Sequence, residues 1–355
     1  MALQIDLRIP ASATAKEVGA FARRAEEAGF DGVGITDMPM VLSDGFVSMA
    51  IAVEATSRIR VASAVTNPVT RHVSALASVV QTVAELAPGR VEIWIGRGDS
   101  AVYTVGLTPA SVNEMREFIL TLKSLLAGES VNFNGTVSRM RIGGGIPVPI
   151  YVAADGPRAI ALAGEVADGA LLRVALHPKV VQTARQHLAE GANRAGRKPE
   201  EIDVIYFTHA IIRDDLQEAR EVARPHCVRW LMKKAMARGL REAGIDVDRL
   251  EMPKELTEGR PEAMETLNLY PDLHHAEDWE RAMELCAFIP KDILAQICDA
   301  LGFVGTPEYC AQRLHEVYSD GMDHFYMAAA ETYSFPRREL LAFEETIFPN
   351  IASLR

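Results

Sequence analysis

The sequence predicts an α/β chain folded as a (β/α)8 barrel, with insertions after strand four and before strand eight. Three observations carry that prediction. Short apolar runs alternate with amphipathic segments of helical period through the 355 residues. No strand is followed by the G-x-G-x-x-G of an open dinucleotide-binding sheet: the nearest candidate, GRGDSA at Gly96 to Ala101, has only the first two glycines. Polar residues gather just past the strands, where a parallel barrel collects its chemistry. An open doubly wound sheet is the alternative.

Leu3 to Ile9 reads as strand one, and Thr14 to Ala28 as a helix with Thr14 as N-cap and Gly29 as its stop. Gly32 to Thr36 is strand two, closed by Asp37, and Phe46 to Ser57 is helical. Strand three, Ile59 to Val65, breaks at Asn67-Pro68 into the polar Thr70-Arg71-His72 before a helix runs from His72 to Leu86. Val91 to Ile95 is strand four, followed by Gly96 to Asp99 and a helix from Ala110 to Leu126. Ser130 to Gly145, rich in Gly, Asn and β-formers, is the first insertion. Ile150 to Ala154 is strand five, Pro157 to Val166 a helix, Gly169 to Val174 strand six and Pro178 to Ala195 a helix. Ile202 to Ile212 is strand seven, with a helix from Asp214 onward. Residues 239–300 break the rhythm with Met252-Pro253, Arg260-Pro261 and Tyr270-Pro271. They read as a lid or dimer arm inserted within one domain spanning 1–355. GFVGTPEYCAQRLHEVYSDG then reads as a helix, and His324 to Ala328 as strand eight.

With 48% hydrophobic and 24% charged residues, the chain can bury a large core. A net charge of -11 leaves no basic face for nucleic acid or an anionic membrane surface. The start MALQIDLRIPASATAKE has neither the basic flank nor the apolar core of a signal peptide, which makes a cytoplasmic protein the expectation. Cys227, Cys286, Cys298 and Cys310 lack metal spacing and are expected to be reduced, mostly buried thiols. Adjacent His274-His275 point apart on any regular element, so no metal is expected.

The strand-end residues are Asp37, Thr66, Asn67, Thr70, Arg71, His72, Arg97, Asp99, Ser100, Asp155, Gly156, Arg173, His177, Thr208 and His209. Each alone reads as readily as a cap or loop hydrogen bond. Gly96 and Gly98 let backbone approach a flat or anionic ligand, and Arg97 offers a planar fork for phosphate. Gly156 opens a loop whose Pro157 suits the first turn of a helix with anion-binding amides, or simply makes a strand-to-helix turn.

EEAGFDGVGITD (26–37), RIRVASAVTNPVTRH (58–72), ELAPGRVEIWIGRGDSAVYTVG (85–106), PIYVAADGPRAIALAGEVADGALL (149–172) and GTPEYCAQRLHEVYSDGMDHFYM (305–327) together resemble the bacterial luciferase-like superfamily. Its members are oxidoreductases that bind a flavin or deazaflavin in a TIM barrel. The resemblance spans most of the chain outside 130–145 and 239–300. It implies a non-prolyl cis peptide bond at Ala64-Val65 beneath the cofactor ring, with Thr66 and Asn67 at the ring's polar edge. It places Asp37 and Asp99 beside the ring, Arg97 on a flavin phosphate, and Ala154, Asp155 and Gly156 at the strand-five phosphate position. VTNPVTRH with Gly98-Asp99 is most similar to the branch of coenzyme F420-dependent methylene-tetrahydromethanopterin reductases, while Arg97 points toward FMN. Met38 stands where a histidine is common, and Asp155 where serine is common.

The function so implied is hydride transfer between F420 and a small organic substrate, a carbonyl, imine or activated alkene. Asp99 or His72 would supply or take the proton, and Asp37 would orient the ring. The alternative is an FMN-dependent monooxygenase fed reduced flavin by a partner flavin reductase. A barrel that binds a ligand without catalysis is a third reading. The resemblance also implies a homodimer.

Overall fold

The computed structural model describes residues 2–141, 143–257 and 273–355. Two compact units make up the described chain. One comprises residues 6–172 and 186–205. Its strands are β1 (Gln4–Ile9, from Asp6 onward), β2 (Gly32–Ile35), β3 (Arg60–Thr66), β4 (Val91–Ile95), the short β5 (Val131–Phe133) and β6 (Thr136–Ser138), β7 (Ile150–Ala154) and β8 (Gly169–Leu172). Every residue of β2, β4 and β8 is buried, as expected of parallel strands covered on both faces. That is why β2 and β8 read as unbroken apolar runs rather than alternating ones, β4 being broken only by Glu92.

The helices start and stop where side chains satisfy their free backbone groups. Thr14 and Glu17 form a reciprocal capping box before Ala15–Ala28, and Gly29, at φ 100°, ends that helix in the left-handed region. Ser111 and Glu114 form a second box before Val112–Leu126, so this helix begins two residues later than its apolar spacing predicts. The first insertion contains an antiparallel hairpin, β5 paired with β6. Asn134 and Gly135 both take positive φ at its turn, as an I′ turn requires.

The other unit comprises residues 1–5, 173–185 and 206–355. It carries β9 (Asp203–Ile212, from Tyr206 onward), β10 (Gly302–Gly305) and β11 (His324–Ala328). β11 pairs in parallel with Tyr206 to His209, and β10 with His209 to Ile212. β10 corrects the sequence reading, which took Gly302 to Gly305 into a helix. Phe303 and Val304 are fully buried beside β9, and the helix starts only at Pro307, behind the N-cap Thr306. Likewise strand six ends at Leu172 rather than Val174, and the helix after β9 begins at Leu216 with Asp215 as its cap.

The hydrogen-bonded strand order β1-β2-β3-β4-β7-β8-β9-β11 returns to β1, which is a closed, eight-stranded parallel barrel. In the first unit Asp203 N–H donates to Asp168 O at 3.2 Å, and in the second Gln4 N–H donates to Asp323 O at 2.8 Å. Of the second insertion, helices lie at Lys234–Glu242, Lys254–Thr257, Trp279–Leu285 and Lys291–Leu301. Residues 258–272, on which much of the lid or dimer-arm reading falls, lie outside the described residues. No helix among the described residues is long and apolar enough to cross a membrane.

Candidate active site

The exit of β3 is bulged. Its register with β4 runs through Ser63↔Ile93 and resumes only at Thr66↔Ile95, and the Ala64-Val65 peptide bond between them is cis. The resemblance implied a cis bond at this position. Ile93 N–H turns to β7, donating to Pro149 O at 2.9 Å, so Trp94 faces β3. The Ser63 hydroxyl fills the gap there: it accepts from Trp94 N–H at 3.1 Å and donates to Trp94 O at 3.3 Å. Ser63 thus closes the ladder across the bulge with its side chain.

Past the bulge the chain is held from two sides. Asp37, only 3% exposed, accepts from Thr66 Oγ1 at 2.7 Å, from Arg71 Nη2 at 2.9 Å and from Arg71 Nε at 3.2 Å. The Arg71 guanidinium also donates to Asp44 Oδ2 at 2.8 Å and lies 4.9 Å from the centre of the Phe46 ring. Its hydrogen bonds to Asp37 above all, opposed by burial, raise the Arg71 pKa above its ordinary value. Burial alone would raise the Asp44 carboxyl, but hydrogen bonds from Arg71 and from the Val47 and Phe46 amides lower it overall. Arg71 was read only as one of the strand-end polar residues; the spacing of an ion pair between two loops leaves no periodic signal.

Asn67 is 1% exposed. Its Oδ1 accepts from Val69 N–H and Thr70 N–H, both at 2.9 Å, and from Thr70 Oγ1 at 3.2 Å. Those donors fix the amide's orientation, and its Nδ2 is buried with no hydrogen-bond partner. The β4 exit lies against this turn. Gly96 N–H donates to Thr66 O at 2.9 Å. A Cβ at Gly96 would come within 3.0 Å of Val65 Cγ2, and one at Gly98, whose φ is +89°, within 2.3 Å of Val102 Cγ2 and 3.5 Å of Asn67 Cβ. Gly98 is therefore required by its backbone conformation and by Val102, while a side chain at Gly96 would need Val65 to yield by a few tenths of an ångström.

Asp99 is half-buried at the N-cap of the turn Ser100–Tyr103, yet its side chain makes no capping hydrogen bond. Its backbone carbonyl alone serves the turn, accepting from Val102 and Tyr103 N–H at 3.0 Å. Arg97 is exposed, and its Nε donates to Ala110 O at 2.5 Å, while Ala110 N–H returns a bond to Arg97 O at 2.9 Å. His72 does not join the buried cluster. It is exposed, caps the helix Val73–Leu86 by accepting from Ser74 N–H, and sets its ring 5.7 Å from that of Phe133 on the hairpin. Ala154 ends β7 buried, and Asp155 and Gly156 follow half-buried, Gly156 being an N-cap without a side-chain hydrogen bond for the helix Pro157–Val166.

In the other unit, His209 on β9 stacks 4.1 Å from His226, whose Nε2 donates to Ala330 O at 2.8 Å and whose ring lies 5.1 Å from Trp279. Arg173 lies 6.0 Å over Phe207, and Thr208 Oγ1 donates to Tyr326 O at 3.5 Å. Among the described residues no group of three or more His, Cys, Asp or Glu could hold a metal ion.

A parallel barrel with a bulged third strand, glycines packed on the bulge and carboxylates at the strand ends is what the resemblance to luciferase-like oxidoreductases implied. Comparison with known proteins gives the family: the luciferase-like monooxygenase model matches residues 3–324, and the chain belongs to that family. A 5,10-methylenetetrahydromethanopterin reductase of Methanolobus tindarius is 28% identical over 314 residues, 86% of this chain and 88% of that protein. An F420-dependent glucose-6-phosphate dehydrogenase of Beutenbergia cavernae is 32% identical over 228 residues, 59% of this chain and 68% of its own length. Among solved structures, the coenzyme F420-dependent tetrahydromethanopterin reductase of Methanopyrus kandleri shares the fold at TM-score 0.75 and 20% identity, over 98% of this chain and 99% of that one.

Proposed function

We propose that the protein is an F420-dependent reductase or dehydrogenase acting on a small carbonyl, imine or activated alkene. The observation that carries the reading is the buried, unpartnered Nδ2 of Asn67 at the β3 exit, in a chain related to F420-using enzymes. A preorganised amide donor fits the acceptor-rich pyrimidinedione edge that deazaflavins and flavins share. Gly96 and Gly98 present backbone rather than side chain beside it, and Ala64 and Val65 form the floor. When bound, F420 supplies a hydride donor or acceptor at C5.

The chain's own residues divide the remaining work. Asp99, whose side chain the turn does not consume for capping, is the group for the proton that must accompany hydride transfer to a carbonyl or imine. Asp37 takes a holding role, because both its oxygens already accept hydrogen bonds from Thr66 and Arg71. His72 is spent on its cap. Arg97 ties its Nε to Ala110, which favours a loop-holding role over a phosphate fork.

Fluorescence quenching of the purified protein by F420 and by FMN tests the reading, with Arg97→Ala alongside. Tight F420 binding and weak FMN binding, with F420 ring affinity little altered in Arg97→Ala, is the expected outcome. Preference for FMN that disappears in Arg97→Ala would overturn it in favour of an FMN-dependent monooxygenase.

A further inference from the structure

The geometry points to Arg71 as a positioning residue for the cofactor ring, acting through Asp37 and Thr66 on the amide of Asn67. This rests on the F420 reading of the same site. Arg71 joins the loops at this exit: it reaches back to Asp37 at the end of β2 and across to Asp44, the N-cap of the helix Gly45–Ala55. Asp44 in turn accepts from Phe46 N–H at 2.9 Å and Val47 N–H at 3.0 Å, so the guanidinium is anchored to a helix end and not to a free carboxylate. That helix start is itself pressed on Asp37, since a Cβ at Gly45 would stand 3.1 Å from Asp37 Cβ and 2.8 Å from Thr36 O. Asp37 has little room to turn away.

The coupling to the site runs through two consecutive residues. Thr66 donates its hydroxyl to Asp37, and Asn67, next in the chain, uses its Oδ1 to hold Val69 and Thr70. With Thr66 fixed at one end and Arg71 at the other, the four residues between them cannot rotate the Asn67 amide without breaking their own hydrogen bonds. The Nδ2 donor is therefore presented in one orientation before any ligand arrives, and its ordering entropy is not charged to binding. The planar fork matters: Nε and Nη2 meet the two Asp37 oxygens while Nη2 also reaches Asp44, an arrangement that a lysine ammonium does not reproduce.

The test titrates wild type, Arg71→Lys, Arg71→Ala and the double variant Arg71→Ala/Asp37→Asn with F420 and with the tail-less deazaflavin that lacks its phosphate, recording Tm for each. Arg71→Ala is expected to weaken both ligands by the same factor, about tenfold (about 1.4 kcal/mol), because the loss lies at the ring. Arg71→Lys should recover part of the loss, and removing the stranded carboxylate in the double variant should recover more. Should Arg71→Ala not fold, the lysine and double variants decide the matter. A fall in Tm with wild-type ring affinity in the folded variants overturns the inference, as does a loss confined to full-length F420. Wild type that binds neither F420 nor FMN overturns the functional reading, and this inference with it; wild type that binds F420 with Arg71 variants unaffected sinks this inference alone.

Discussion

Ser63→Ala tests how β3 keeps its bulge. In the intact protein one hydroxyl serves both backbone groups of Trp94 that face β3, accepting at 3.1 Å and donating at 3.3 Å. Ser63 is 0% exposed and Trp94 1% exposed, so water cannot take over either bond without opening the sheet. Leaving a buried N–H unsatisfied costs roughly 1–3 kcal/mol, and the longer bond to the carbonyl adds little, which puts the substitution at about 2 kcal/mol. At about 2.1 cal/mol/K per residue, a 355-residue chain unfolds with an entropy of about 0.75 kcal/mol/K, so Tm should fall by about 3 °C. Differential scanning calorimetry reads the shift, and near-ultraviolet circular dichroism reads the environment of Trp94. A Tm within about 1 °C of wild type, with an unchanged aromatic spectrum, would refute the assignment of the hydroxyl as the closing group.

The remaining predictions address the glycines, the thiols and acid stability. Gly98→Ala places a Cβ where φ is +89° and Val102 Cγ2 is 2.3 Å away; F420 titration should show at least a tenfold loss, roughly 1.4 kcal/mol, and wild-type affinity would contradict it. Burial pushes the thiols of Cys286 and Cys310 up to about 12 and that of Cys227 well above its ordinary value, so iodoacetamide near neutrality should label the native protein slowly and all four cysteines after unfolding. Rapid native labelling of Cys227 would count against this. Glu26, raised by burial but lowered further by amide hydrogen bonds from Arg58, Ser57 and Ile59, and Asp44, lowered by Arg71, both have folded pKa values below their unfolded ones. Their stabilisation is complete above the unfolded carboxylate range and is lost as pH falls below roughly 4. Asp44→Asn should flatten the fall of Tm in acid, and an unchanged slope would remove Asp44 from the account.

The barrel was legible because its signals are local. Val91 to Ile95, but for Glu92, and Ile150 to Ala154 are apolar, Thr14 and Gly29 mark helix ends through bonds made within a turn, and Pro157 marks one through its fixed φ. β10 was missed because GFVG is short, buried on both sides and directly continuous with a helix, so neither period declares itself. At the site, the glycines were read from their residue type and the cis bond from a resemblance over many residues, whereas the state of each polar group followed from neither. Asp37 and Asp99 look equivalent as carboxylates closing strands. Only the fold shows that Arg71, thirty-four positions away in the chain, has claimed the first of them.

That difference bears directly on which residue can exchange a proton. Both oxygens of the buried Asp37 carboxylate are engaged by Arg71 and Thr66, so any other use of that group means breaking those hydrogen bonds first. Asp37 therefore suits a role that holds loops in place. Asp99 stands at the N-cap of a four-residue turn without a side-chain capping hydrogen bond, next to Gly98 in the chain. If Asp99 is the proton group, Asp99→Asn should cut turnover while leaving F420 binding within about twofold, roughly 0.4 kcal/mol, and the acid limb of the rate profile should vanish with it. Asp37→Asn should do the reverse, weakening cofactor binding first. Equal effects of the two substitutions on binding and on rate would show that the Arg71 pair does not separate the roles of the two carboxylates.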